Sequence, residues 1–214
     1  MVADSLKILP KEKDTKQRWT TVGWSHQQTG WVFLTSTPRF RERLLPLISL
    51  WLDTLVLRLM NQGLTAATIA ERLAPPKSLE HEWHLRGYYG TFSHNAKAVY
   101  QRYLGWYDAN PANLNALPPV ERAKKSIAYM GGAAAVIARA QTDFASGQYR
   151  WVADVMSQVV FVDPDNRDAR ELGADALEQL GYQSESATWR NAYLQGAREL
   201  RLGAVALDVL GVHP

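Results

Sequence analysis

The chain has no cysteine. Disulfides and thiolate metal sites are therefore excluded, and the redox compartment is left open. It also has no long apolar run. The most hydrophobic stretch, residues 44–60, is interrupted by Pro46, Asp53 and Arg58 and falls short of the roughly 20 apolar residues a membrane span needs. No leader is evident either. Residues 1–10 hold one lysine and a short apolar patch before Lys11-Glu12-Lys13-Asp14, so no signal peptide is expected and the cytoplasm is the default location. Surplus charge is small, with a net of +3, and it is uneven. Residues 1–43 hold eight Lys/Arg and four Asp/Glu, while the remainder holds sixteen and seventeen. A nucleic-acid binder concentrates positive charge on its folded part, and here that part is close to neutral.

Catalytic signatures are sparse as well. There is no Gly-x-Ser-x-Gly and no phosphate loop of the Gly-x-x-x-x-Gly-Lys type. The five histidines are His26, His81, His84, His94 and His213. His81-Glu82-Trp83-His84 is one residue too short for the His-Glu-x-x-His zinc motif, and no third ligand stands near it. These two histidines read as solvated surface groups. Residues 63–73 look like the first helix of a helix-turn-helix. However, Ala74-Pro75-Pro76-Lys77 follows, and then Glu80 and Glu82, whose carboxylates repel phosphates. No nucleic-acid partner is expected.

What is present is 46% apolar residues, enough for a packed core. Ile48, Trp51, Leu52, Leu55 and Leu59 recur at helical spacing and make residues 44–60 an amphipathic core helix. A helix is expected to begin after Thr37-Pro38, to break or kink at Pro46, and to resume as far as Asn61. Thr65 caps a short helix over 66–73, and 80–85 and 95–103 are also read as helical. Residues 108–119 read as loop. Beyond them the pattern predicts helices over 119–130, 132–146, 149–161, 167–180 and 185–201, then a frayed tail. Residues 1–38 read as irregular, with a short strand at Val32-Phe33-Leu34. Gly147-Gln148-Tyr149 and Gly181-Tyr182-Gln183 lie 34 residues apart, with Asp163-Pro164-Asp165-Asn166 between them. That spacing resembles a tetratricopeptide helical hairpin. The fold class is all-α: helical hairpins behind an irregular N-terminal arm. The expected divisions are an arm at 1–45, a helical domain at 46–202 and a tail at 203–214.

The densest feature is aromatic and basic. Eight of the 25 residues from Trp83 to Tyr107 are aromatic, against 22 in the whole chain. Arg86, His94, Lys97, Arg102, Tyr103 and Tyr107 can all hydrogen-bond a sulfate. The competing reading for the tyrosines is helix packing with wet hydroxyls, since Tyr100, Tyr103 and Tyr107 also fall at helical spacing. His94 stands at the expected start of a helix, a natural seat for an anion.

This stretch resembles the helical region of alkyl sulfatases of the metallo-β-lactamase superfamily. The resemblance runs from about Trp51 to Leu202. Its anchors are collinear: Asn61-Gln62-Gly63-Leu64-Thr65, Arg86-Gly87-Tyr88-Tyr89-Gly90, Ser93-His94-Asn95, Tyr100-Gln101-Arg102-Tyr103-Leu104-Gly105-Trp106-Tyr107, Asn110-Pro111-Ala112-Asn113-Leu114, Tyr129-Met130-Gly131-Gly132 and Asp163-Pro164-Asp165-Asn166. The resemblance implies a dimerisation domain that sits between a zinc-binding catalytic domain and a domain similar to sterol carrier proteins. In that family, alkyl sulfate esters are hydrolysed to alcohol and sulfate. The dimerisation region lends polar side chains to the sulfate pocket, and His94 and Tyr107 match that segment, with Arg86 and Tyr103 as further substrate-binding candidates.

The family's His-x-His-x-Asp-His zinc run is absent from these 214 residues. The expectation is a truncated or isolated module: a homodimer with no catalytic residue and no metal of its own, the zinc belonging to the full-length family. Two other readings stand beside it. One is a subunit of a split zinc-dependent alkyl sulfatase that pairs with a separate zinc-hydrolase domain. The other is a helical-repeat scaffold that binds another protein.

Overall fold

The computed structural model describes residues 38–77, 80 and 86–203, with side chains from residue 49 onward. The expected strand at Val32-Phe33-Leu34, the helix over 80–85 beyond Glu80, the tail past Gly203, and His26, His81, His84 and His213 lie outside the described residues. Every regular element among the described residues is a helix. The chain divides between Ala109 and Asn110 into two compact units. This boundary lies inside the stretch that the sequence reading treats as one helical domain.

In the first unit, α1 (Pro38–Met60), α2 (Ala66–Arg72) and α3 (Phe92–Leu104) pack against one another. Pro46 does not break α1, which runs unbroken through it. One lost backbone bond costs about 3 kcal/mol in a helix interior. Burial of several large apolar side chains, at about 1.5–3 kcal/mol each, outweighs it. Leu52 and Val56 are buried, and Trp51 and Leu59 pack beside them. The expected stripe omitted Val56, its most deeply buried member. Ile69, Ala70, Ala96 and Tyr100 complete this core, and the Trp51 and Phe92 rings meet edge-on at 6.2 Å. Thr65 caps α2 as expected, its side chain accepting the Thr68 N–H.

In the second unit the segment read as loop contains one helical turn, α4 (Pro111–Leu114). Asn110 accepts the Ala112 N–H at its start, and proline occupies the first helical position. Next come α5 (Pro119–Tyr129), α6 (Ala133–Ala145), α7 (Tyr149–Val162), α8 (Arg167–Gln183) and α9 (Ala187–Leu202). Gly131 and Gly132, both at positive φ (94° and 91°), turn the chain between α5 and α6. α7 packs on α5, α6 and α8, and α9 packs on α8. The core consists of Ile127, Val136, Ala140, Val152, Val155, Met156, Val159, Ala169 and Ala176.

The two glycines of the 34-residue spacing stand in different settings. Gly147 is a turn residue at φ 81°. Gly181 does not end α8 but lies inside it, buried, where a Cβ would come within 2.9 Å of the Leu194 Cγ. It lets α8 and α9 cross closely. The same pair of helices is tied by Arg201, whose guanidinium meets Glu178, Asp175 at 2.6 Å and Glu171 at 3.4 Å. Glu178, chiefly, and Asp175 hold the Arg201 pKa above its ordinary value through their hydrogen bonds and charges.

Candidate functional site

The four sequence-predicted site residues all belong to the first unit. Their frame is α3 and the turn that leads into it. Gly87 makes that turn possible: a Cβ there would stand 2.7 Å from the Gly90 carbonyl oxygen. The Tyr88 N–H donates to the Arg86 carbonyl at 3.0 Å. The Arg86 guanidinium lies 5.9 Å from the centre of the Tyr88 ring, a cation–π geometry.

Thr91 caps α3. Its Oγ1 accepts the His94 N–H at 2.9 Å and its carbonyl accepts the Asn95 N–H at 2.9 Å. His94 is therefore an exposed imidazole in the first turn of a thirteen-residue helix, at the positive end of its dipole. No Asp or Glu occurs between Arg86 and Tyr107, so the only formal charges along this segment are those of Arg86, Lys97 and Arg102. The absence of acid over 22 residues is a signal the sequence reading could have used.

Tyr103 stands elsewhere. Nine residues separate it from His94, which places the two about half a turn out of phase and about 13 Å apart along the axis. Its hydroxyl donates to Asp53 Oδ2 on α1 at 3.1 Å. Burial, the Asp53 charge and that hydrogen bond all raise the Tyr103 pKa above 10.0. The neutral phenol thus favours the folded state. Its contribution is present below the ordinary tyrosine range and is lost as pH rises through the raised value. Tyr103→Phe is expected to cost about 0.5 kcal/mol and to remove one late-titrating phenol from the alkaline absorbance curve. An unchanged curve would count against the Asp53 contact. Tyr107 follows Gly105, the α3 cap at φ 77°; it is half-buried, with its ring against Trp106 at 5.7 Å. Tyr100 is buried in the core.

Sequence reasoning singled out His94 and passed over its neighbour. Asn95 is 1% exposed, and neither its Oδ1 nor its Nδ2 has a hydrogen-bond partner among the described residues. Buried polar groups are nearly always paired, so this side chain is exceptional. The signal was an asparagine on the same face as Phe92 and Val99, three residues after one and four before the other.

The residues described do not fit zinc. Among them no three His, Cys, Asp or Glu side chains are placed to hold a metal ion. The carboxylates that do converge, Glu171, Asp175 and Glu178, converge on Arg201. Among the described residues no helix is long and apolar enough to cross a membrane. An open groove of about 540 Å³ lies in the second unit, lined by Gly147, Tyr149, Arg150, Trp151, Leu180 and Gln183 among others. It includes none of the four predicted residues. Its lining carries one charged side chain, Arg150, against Arg86, Lys97 and Arg102 on the α3 segment, which makes it the poorer candidate for an anion.

A family model described as alkyl sulfatase dimerisation matches residues 65–203. An alkyl/aryl-sulfatase of Saccharomyces cerevisiae is 70% identical over 147 residues, which is 69% of this chain and 23% of the relative. An (R)-specific secondary-alkylsulfatase of Pseudomonas sp. is 51% identical over 162 residues, 75% of this chain and 24% of the relative. A solved stereoselective inverting sec-alkylsulfatase of Pseudomonas sp. superposes with a TM-score of 0.73 at 51% identity, covering 75% of this chain and 26% of that one. The chain thus spans about a quarter of the length of the relatives it matches.

Proposed function

The chain belongs to the alkyl sulfatase dimerisation family, and from that premise we propose that it pairs with a second copy of itself and lines the sulfate end of an alkyl sulfate site. The acid-free basic and aromatic segment from Arg86 to Tyr107, with His94 in the first turn of α3, carries this reading. A sulfate monoester presents a delocalised anion on an apolar tail. Arg86 supplies charge-assisted donors, His94 a donor reinforced by the helix dipole, and Tyr107 a directed hydroxyl on an apolar ring. The Tyr103 proton is engaged with Asp53, so Tyr103 contributes its ring and positions α3 against α1.

Ester cleavage in this reading needs a metal-activated nucleophile, which belongs to a domain carrying the His-x-His-x-Asp-His run that these residues lack. The part played by this chain is to bind and orient the anion. Purified chain incubated with dodecyl sulfate, with and without zinc, is expected to release no sulfate by ion chromatography. Zinc-dependent sulfate release would overturn the reading. The second reading is complementation by a separate zinc-hydrolase polypeptide, suggested by the absence of a His-x-His-x-Asp-His run from these 214 residues. It predicts sulfate release only when both chains are mixed.

A further inference from the structure

We propose that residues 110–120 are the surface through which two copies of this chain pair, an assignment that rests on the self-pairing read above. Every residue from 110 to 122 is exposed. Among them are three large apolar side chains: Leu114 at 59% exposure, Leu117 at 49% and Val120 at 41%. Ordinary exposed connections are polar and charged, yet residues 110–120 contain no charged residue at all.

The segment is also conformationally set. The Asn110 side chain accepts the Ala112 N–H at 3.1 Å, and its carbonyl accepts the Asn113 N–H at 2.9 Å. Pro111 opens α4, and Pro118 and Pro119 fix the entry to α5. A surface already held in one shape loses little conformational freedom on contact. Val120, Ala123 and Ile127 fall at i, i+3 and i+7 on one face of α5. Ala123 and Ile127 are buried and Val120 is not. The apolar stripe of α5 therefore runs past the cover that the unit's own helices supply.

The absence of charge argues for a second copy as the occupant. A two-fold contact sets a patch against itself, so a charge near the axis faces its own like. A neutral apolar patch escapes that repulsion.

The test is light scattering on the chain, on the double variant Leu114→Asp/Leu117→Asp, and on single Leu117→Asp and Leu117→Lys variants. The wild type is expected at twice 24.1 kDa. The double variant and each single variant are expected to run as monomers with unchanged helical circular dichroism, because both leucines are exposed in the protomer. Mixing Leu117→Asp with Leu117→Lys is expected to restore a dimer. Tyr129→Asp, at a 94% exposed position outside the segment, is expected to stay dimeric. If the wild type and the double variant are both dimers, this surface is wrong while self-pairing stands. A wild-type monomer sinks the self-pairing reading and this assignment with it. Loss of binding to a zinc-hydrolase polypeptide, with dimerisation untouched, would give the segment to that partner and overturn the proposal.

Discussion

Replacing Asn95 by leucine is expected to raise stability by about 1 kcal/mol. The two side chains share a four-atom forked outline, but the leucine methyls are bulkier than the carboxamide atoms, so tighter packing at this buried position offsets part of the gain. The carboxamide has both polar atoms buried and unpaired among the described residues, and an unsatisfied buried polar group costs on the order of 1–3 kcal/mol. Leucine removes that cost and is the better helix former by a few tenths of a kcal/mol. The measurement is the urea midpoint of the purified chain at constant slope. A loss of stability would mean that the carboxamide is satisfied in solution and holds α3 in place. A gain would mean that a destabilising asparagine is kept beside His94 for something other than the fold. Natural chains accept such costs at functional positions.

Met156→Ala is expected to destabilise the second unit by about 3 kcal/mol. Met156 is 1% exposed and belongs to the main cluster of that unit. Opposite it, on α8, stands Gly173, where a Cβ would meet the Met156 Cβ at 3.2 Å. Gly173 itself has no side chain to fill the vacated volume, so the cavity term adds to the lost transfer energy. The midpoint of thermal unfolding is expected to fall by roughly 10–20 °C for a unit of this size. A fall of only a few degrees would show that α7 and α8 close up instead.

Much of the second unit was legible in the sequence, because its signals are local. Apolar residues recur at helical spacing, and side chains such as Asn166 and Ser186 cap α8 and α9 directly. The boundaries of α5 to α9 accordingly fall within a few residues of the expected ones. The break expected at Pro46 does not occur, because the burial that keeps α1 continuous comes from residues far along the chain, in α2 and α3. Gly181 was misread as punctuation because glycine ends helices and also lets them cross, and only the position of Leu194 decides between the two. At the candidate site, α3 was expected from residue 95 and begins three residues earlier, because Thr91 was not recognised as its cap. The engagement of Tyr103 was not legible, since its acceptor Asp53 lies 50 residues earlier. Asn95 escaped notice because an asparagine next to a histidine reads as polar surface until its burial is known.

The order of helix contacts in the second unit has a kinetic consequence. Each of α5 to α9 packs on helices one or two places away in the chain. Closing short loops costs little entropy, so such contacts form early and quickly. In the first unit, α3 must find α1 across residues 61–91, a longer stretch than the 130–148 between α5 and α7. The second unit is thus the faster folder of the two. During synthesis it also emerges last, so the slower partner gets the head start.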